Sequence, residues 1–197
     1  MGFPMSADEM RVWLRDIRAC AIGSLGEALV RAELEGLGWP MLRNVVLLIS
    51  GASVEIDHLA CAAGAIVVLE TKTYSGEVDG HPASECWQLR LRDGRCFGMP
   101  NALRQNAAHL LAVRRAVNDD AVRVRGYVVN AGAGRFAPAL AASVVPLRQV
   151  GRRLAEDLAI QGRGTERLLA AWSRLVASAA EGERYRSAHA ARISRRV

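Results

Sequence analysis

The sequence predicts an α/β protein with a mixed α+β sheet: a helix–three strands–helix–strand core followed by further helices. Three observations predict it. Apolar residues recur at helical spacing near the N-terminus and again over 101–117. Between these lie three short runs rich in Val, Ile and Leu, at 41–49, 53–61 and 65–73. Glycine-containing turns at Ser50-Gly51 and Ala63-Gly64 separate the runs.

The elements follow in order. Ser6-Ala7-Asp8-Glu9 reads as a capping box, after which Met10, Trp13, Leu14 and Ile17 form an apolar face. A second capping box, Ser24-Leu25-Gly26-Glu27, opens a second helix that runs to about Leu37 and is closed by Gly36 and Gly38. After the three strands, 86–91 and Cys96-Phe97 flank Asp93-Gly94, a hairpin signal. A helix over 101–117 presents Leu103, Leu110, Leu111 and Val113 as its core face. Residues 122–129 alternate Val and Arg and then turn apolar, as a strand does, and 143–147 forms another. Helices are expected over 149–160 and 165–179. The chain divides into an N-terminal helix at 1–22, a core at 23–148 and a C-terminal helical extension with an Arg-rich tail at 149–197.

With 51% hydrophobic and 23% charged residues in 197, the chain has the balance of a globular protein that folds without staples. No apolar run approaches the roughly 18 residues of a membrane span, and no basic-then-apolar leader opens the chain, so a cytoplasmic location and no membrane are expected. Met1-Gly2 through Ser6 matches a myristoylation pattern that is short enough to recur by chance. The four cysteines lack zinc-finger spacing and read as reduced, mostly buried small hydrophobes.

A net charge of +6 suggests an anionic partner, of which nucleic acid is the commonest. Of 26 Lys and Arg residues only Lys72 is lysine. A compact ammonium with three donors does not substitute for a wide guanidinium fork, so Lys72 marks a position that arginine would not serve.

Side chains two apart on a strand share a face, which pairs Glu70 with Lys72 and Glu55 with Asp57. If Ala63-Gly64 centres the turn, paired residue numbers sum to 127, setting Asp57 opposite Glu70 and Glu55 opposite Lys72. Acids packed this closely raise one another's pKa unless a cation intervenes. A hard divalent ion, Mg²⁺ or Mn²⁺, takes such oxygen ligands, polarises a phosphoryl oxygen and activates water, while Lys72 offsets developing charge. Surface pairing is the alternative for these side chains, with Glu55 as a structural partner of Lys72.

These residues resemble the NERD (nuclease-related) domain, a branch of the restriction-endonuclease-like PD-(D/E)XK superfamily. The pattern appears as Gly26-Glu27-Ala28-Leu29-Val30, Asn44-Val45, Glu55-Ile56-Asp57-His58-Leu59, Val68 to Gly76 around Glu70-Thr71-Lys72, and Asn101-Ala102-Leu103-Arg104-Gln105 with His109. It covers about Gly23 to Asn130; Ala102 departs from it, since relatives often carry proline there. The resemblance implies a restriction-endonuclease-like αβββαβ core. It further implies Asp57 and Glu70 as metal-binding carboxylates, the Thr71 carbonyl as a third ligand, and Glu27 completing the shell. Lys72 would be the catalytic lysine and Gln105 the residue that orients the site. From its place in the sequence alone, Glu27 could instead cap a helix, and Gln105 could be solvated.

The implied activity is Mg²⁺- or Mn²⁺-dependent hydrolysis of phosphodiester bonds in nucleic acid, DNA favoured. The alternative is a non-cleaving nucleic-acid-binding or protein-interaction module on the same fold. His58, His81 and His109 read as structural. Gly132-Ala133-Gly134 reads as a turn rather than a nucleotide loop, and Trp87 as core. Tyr74 and Tyr127 offer faces for base stacking. The arginines at 184, 186, 192, 195 and 196 are either phosphate contacts or a solvated tail. The stripe Leu168, Leu169, Trp172, Leu175, Val176 serves either a homodimer or the chain's own core.

Overall fold

A computed structural model describes residues 6–49, 52–62, 64–159 and 166–186, excepting the side chains of residues 7, 13, 14, 158 and 159. The expected turn at Ser50-Gly51, Ala63, the N-terminal pattern before Ser6, the ends of the helices near 160–165 and the arginines at 192, 195 and 196 lie outside the described residues.

In chain order the elements are α1 (Ala7–Glu35), β1 (Met41–Ile49), β2 (Ala52–Ala62), β3 (Ala65–Lys72), β4 (Glu77–Asp79), β5 (Cys86–Arg90), β6 (Cys96–Pro100) and α2 (Ala102–Val117). They continue with β7 (Val124–Asn130), β8 (Arg135–Phe136), α3 (Pro138–Ala141), β9 (Val144–Pro146), a 3-10 turn at Leu147–Gln149, α4 (Val150–Ala159) and α5 (Glu166–Glu183).

The central sheet has the order β1-β2-β3-β7-β9, its first three strands antiparallel and its last three parallel. Helices cover both faces. On one, Ala112, Val113 and Val117 of α2 and Leu168, Ala171 and Leu175 of α5 pack on Ile66 and Val68 of β3. On the other, Val30 and Leu34 of α1 and Val150 and Leu154 of α4 pack on Val67 and Leu69. Alternate residues of β3 thus feed opposite cores, as the strand's two-residue period requires. A smaller sheet, β6-β5-β4-β8, sits on a third cluster built around the fully buried Trp87.

The αβββαβ order is as expected, with C-terminal helices added. The expected helix break at Ser24 is not there. The first capping box forms, with Ser6 accepting from the Glu9 amide and Glu9 from the Ser6 amide, but α1 then runs unbroken for 29 residues across the 22/23 boundary. Ser24-Glu27 is mid-helix, where the intrahelical ladder already satisfies the amides a cap would serve. Met10 and Ile17, expected in a core face, are exposed because α1 meets the sheet only through its later turns.

On α2 the buried face is Ala102, Asn106, His109, Ala112, Val113 and Val117, so Leu111 is exposed and two polar side chains take inward positions. Of the cysteines only Cys61 is buried; Cys20, Cys86 and Cys96 are exposed free thiols, on an outer helix face and on the small sheet. Leu168 and Leu175 are used by the chain's own core, while Leu169 and Val176 face outward. The short β4, β8 and α3 have too few residues to show a period and were not expected.

Candidate functional site

The β2–β3 register sums to 127 from Ala62↔Ala65 out to His58↔Leu69, as expected. There the paired ladder stops. Asp57 replaces the next rung with its side chain: the Thr71 amide donates to Asp57 Oδ2 at 2.7 Å. β1 is irregular at the same level. Arg43 pairs with His58 and Val45 with Ile56, but Asn44 between them has φ 48 and takes no rung of the β1–β2 ladder.

Beyond this point the register no longer places Glu55 beside Lys72. Glu55 instead pairs with Arg186 at 2.9 Å, a partner 131 residues away. Arg186 also holds Glu183 and donates to the Asn44 carbonyl, so it is a structural tie and not a free phosphate contact. The expected Glu55–Lys72 pair is thus corrected, because the strands part before it and a helix end supplies the cation.

Glu70 is 1% exposed at the end of β3. Lys72 Nζ stands 2.5 Å from its Oε1, and His109 Nδ1 stands 3.1 Å from its Oε2 without hydrogen-bond alignment. Lys72 Nζ also donates to Gln105 Oε1 at 3.0 Å. Gln105 and His109 lie four apart on α2, so one helical face sets both over the strand end. α2 is itself registered by its cap: Asn101 Oδ1 accepts from the Leu103 and Arg104 amides, while its Nδ2 donates to the carbonyls of Pro82 and Ser84. The position where relatives often have proline is Ala102, and the cap forms without it.

Glu27 arrives through Gly26. A Cβ on Gly26 would lie 2.2 Å from Thr73 Cγ2, so without a shift of that side chain glycine is what lets α1 pass this close to the strand end. Glu27 is half-buried beside a cavity of about 470 Å³ whose walls include Asp57, Gln105 and His109. Glu70 lies behind these walls.

The charges interact. Burial first, and then Glu70, push the Asp57 carboxyl up to about 7, against the opposing Thr71 amide. Burial, then Glu55 and Glu70, raise Glu27 above the usual carboxylate range. Burial works against the charge of Glu70, yet His109 and Lys72 hold its carboxyl below that range. Negative charge is therefore crowded, and what relieves it is centred on Glu70.

All of the sequence-derived candidates meet here: Glu27, Asp57, Glu70, Thr71, Lys72 and Gln105. His109, four residues beyond Gln105 and read from the sequence as structural, is set against Glu70 in the same site. Sequence reasoning missed Asn130, which accepts from the Tyr74 amide and so ties β7 to the segment after β3. His58 faces α1, as its alternation with Asp57 implied. Burial, then Arg43, depress its ring to about 4. Tyr74 packs on Phe136 in the third cluster, and Tyr127 packs against the second and donates its hydroxyl to Asp157, so both are engaged by the fold. Gly132 and Gly134 lie in the turn after β7, and the Gly134 amide donates to the Tyr74 carbonyl at 2.8 Å.

Helices on both faces of a mixed sheet, with a buried acid and the sole lysine at a strand end facing a second acid, are consistent with a nuclease-like α/β fold. The chain belongs to the nuclease-related domain family, NERD, whose model matches residues 22–131. Comparison with curated proteins gave no match, and comparison with solved structures gave none. Among the described residues no helix is long and apolar enough to cross a membrane.

Proposed function

We propose that the chain is a divalent-cation-dependent nuclease that hydrolyses phosphodiester bonds, with DNA as the favoured substrate. The observation that carries this reading is the Glu70–Lys72–Gln105 chain of contacts beside Asp57.

The donor chemistry fits a hard cation. Asp57 and Glu70 offer carboxylate oxygens, one of which, Glu70 Oε2, is buried without a hydrogen bond, and the raised Asp57 signals negative charge short of compensation. Asp57 and Glu70 would hold Mg²⁺ or Mn²⁺, with the Thr71 carbonyl as a third donor and Glu27 at the edge. The ion, when bound, polarises a phosphoryl oxygen and acidifies a water.

The chain's own groups do the rest. Lys72 carries fixed positive charge to where the transition state gains negative charge. Gln105 keeps its ammonium at that position and limits how far it swings. His109 and the buried wall around Glu70 exclude bulk water, which strengthens each of these interactions.

One observation favours the second reading, a non-cleaving binding module. Among the described residues no three His, Cys, Asp or Glu side chains stand together as a ready metal site. Both oxygens of Glu70 already face Lys72 or His109.

The test is incubation with plasmid and linear DNA in Mg²⁺ or Mn²⁺, alongside calorimetric Mn²⁺ titration. Cleavage that disappears in Asp57→Ala and Lys72→Ala supports the nuclease. Binding of DNA without cleavage and without Mn²⁺ uptake at millimolar concentration supports the module.

A further inference from the structure

Behind Glu27, on the α1 side of β2, lies a second recess of about 200 Å³. Its walls carry Ser24, Arg31, Arg43, Asn44 and His58, with Ala28 as the sole apolar residue. Glu27 and Asn44 line this recess and the larger cavity alike, so the two adjoin.

Several features of the recess are unexplained by folding alone. His58 is 1% exposed, and its Nδ1 has no hydrogen-bond partner although the ring bonds to the Glu27 backbone. A buried ring nitrogen left unpaired is costly, and such groups are uncommon in native interiors. The Nε of Arg31 is likewise buried without a hydrogen bond, its nearest acid being Glu35 at 3.6 Å. Arg43 is exposed and forms no ion pair among the described residues. Both guanidiniums act on the His58 ring. Glu27 is the one acid on the wall, against two arginines.

We propose that this recess binds a phosphate group of the nucleic-acid strand, beside the one placed at the Asp57/Glu70 site. The inference rests on the nuclease reading for the identity of the strand, not for the existence of the site. A phosphate presents several acceptors to Arg31 and Arg43, whose forked donors suit its geometry. It would also place an oxygen beside His58 Nδ1, which is buried without a hydrogen-bond partner. Asn44 lines both cavities, and its carbonyl, on a left-handed backbone, accepts from Arg186. The phosphate is either the terminal monoester of a strand end or an internal diester, and the two sources are separable.

The experiment uses the full chain in excess EDTA, so that no cation at the neighbouring carboxylates takes the phosphate. Inorganic phosphate is titrated by ³¹P NMR line broadening, and fluorescent oligonucleotides with 5′-phosphate or 5′-hydroxyl ends by anisotropy. Arg43→Gln, an exposed change, is expected to weaken phosphate binding at least about tenfold. Arg43→Lys retains part of the binding, and Arg115→Gln, an exposed arginine on α2, leaves it unchanged. A 5′-phosphate preference that vanishes in Arg43→Gln identifies a strand end; equal weakening of both oligonucleotides identifies an internal diester. Phosphate and oligonucleotide binding unaltered in both Arg43→Gln and His58→Gln overturns the proposal. Arg43-dependent phosphate binding in a protein that cleaves nothing retains this site and removes the nuclease reading instead.

Discussion

Lys72 Nζ stands 2.5 Å from Glu70 Oε1, two residues earlier on the same strand, and is held from the other side by Gln105 Oε1. Glu70 is buried and Lys72 is about a quarter exposed on its side chain, so the pair spans the boundary between core and surface. An acid buried this deeply needs its cation, and the cation reaches solvent only along its own stem.

Lys72→Ala and Lys72→Arg are both expected to lower the DNA cleavage rate by about a hundredfold or more. Arginine keeps the charge but spreads it over a longer, rigid planar fork that does not fit the place of a compact ammonium between Glu70 Oε1 and Gln105 Oε1. Full activity in Lys72→Arg would show that charge alone suffices. The check is single-turnover cleavage at saturating Mg²⁺.

Gln105→Ala frees the lysine without removing it. A roughly tenfold loss is expected in kcat, with KM little altered, because the tether acts on position and not on substrate binding. Steady-state kinetics on a labelled duplex separates the two, and a change confined to KM would place Gln105 on the substrate instead.

Gly182 lies where α5 crosses β1, and a Cβ there would sit 1.7 Å from the Val46 carbonyl oxygen. Backbone cannot step aside as a side-chain tip can, so Gly182→Ala is expected to cost at least about 2 kcal/mol. Urea denaturation reads the loss as a lower midpoint. The same shift would disturb the Arg186–Glu55 tie just beyond it.

Asn101 caps α2 and fastens the β4–β5 connection with a single buried amide. Asn101→Ala removes the cap and strands two carbonyls, an expected cost of about 2–3 kcal/mol. Asn101→Asp keeps the cap acceptor but loses the donors and sets an anion against those carbonyls. It is therefore expected to be no better than Ala, as thermal or chemical denaturation will show.

Burial, and then the bond to Asp157, push Tyr127 up to about 12 from its ordinary 10. A folded-state value above the unfolded one stabilises fully below pH 10, and that contribution is lost as pH rises toward 12. Tyr127→Phe is expected to cost about 1 kcal/mol below pH 10 and to flatten the decline above it. Tyrosinate absorbance should lose one late-titrating phenol in the same variant.

How much of the site was legible depends on how local each relationship is. Glu70-Thr71-Lys72 on a strand, and the 127 register that brings Asp57 to it, follow from a two-residue period and one turn. Gln105 followed only from the family resemblance, since its place on a helix would equally suit a solvated side chain. The helix break at Ser24 failed for the opposite reason: a capping box is a local option, and the continuous helix Ala7–Glu35 already satisfies the amides it would serve.

The sequence by itself determined the order of helices and strands, the β2–β3 register and the pairing of an acid with the only lysine on one strand face. Each rests on periodicities that hold within a dozen residues. Only the tertiary structure decided that Glu55 answers to Arg186, that His109 turns inward to Glu70, and that His58 lines a recess with two arginines. Those partners lie on segments far apart in the chain, and packing of helices onto the two sheet faces, not any local pattern, selects which of them meet.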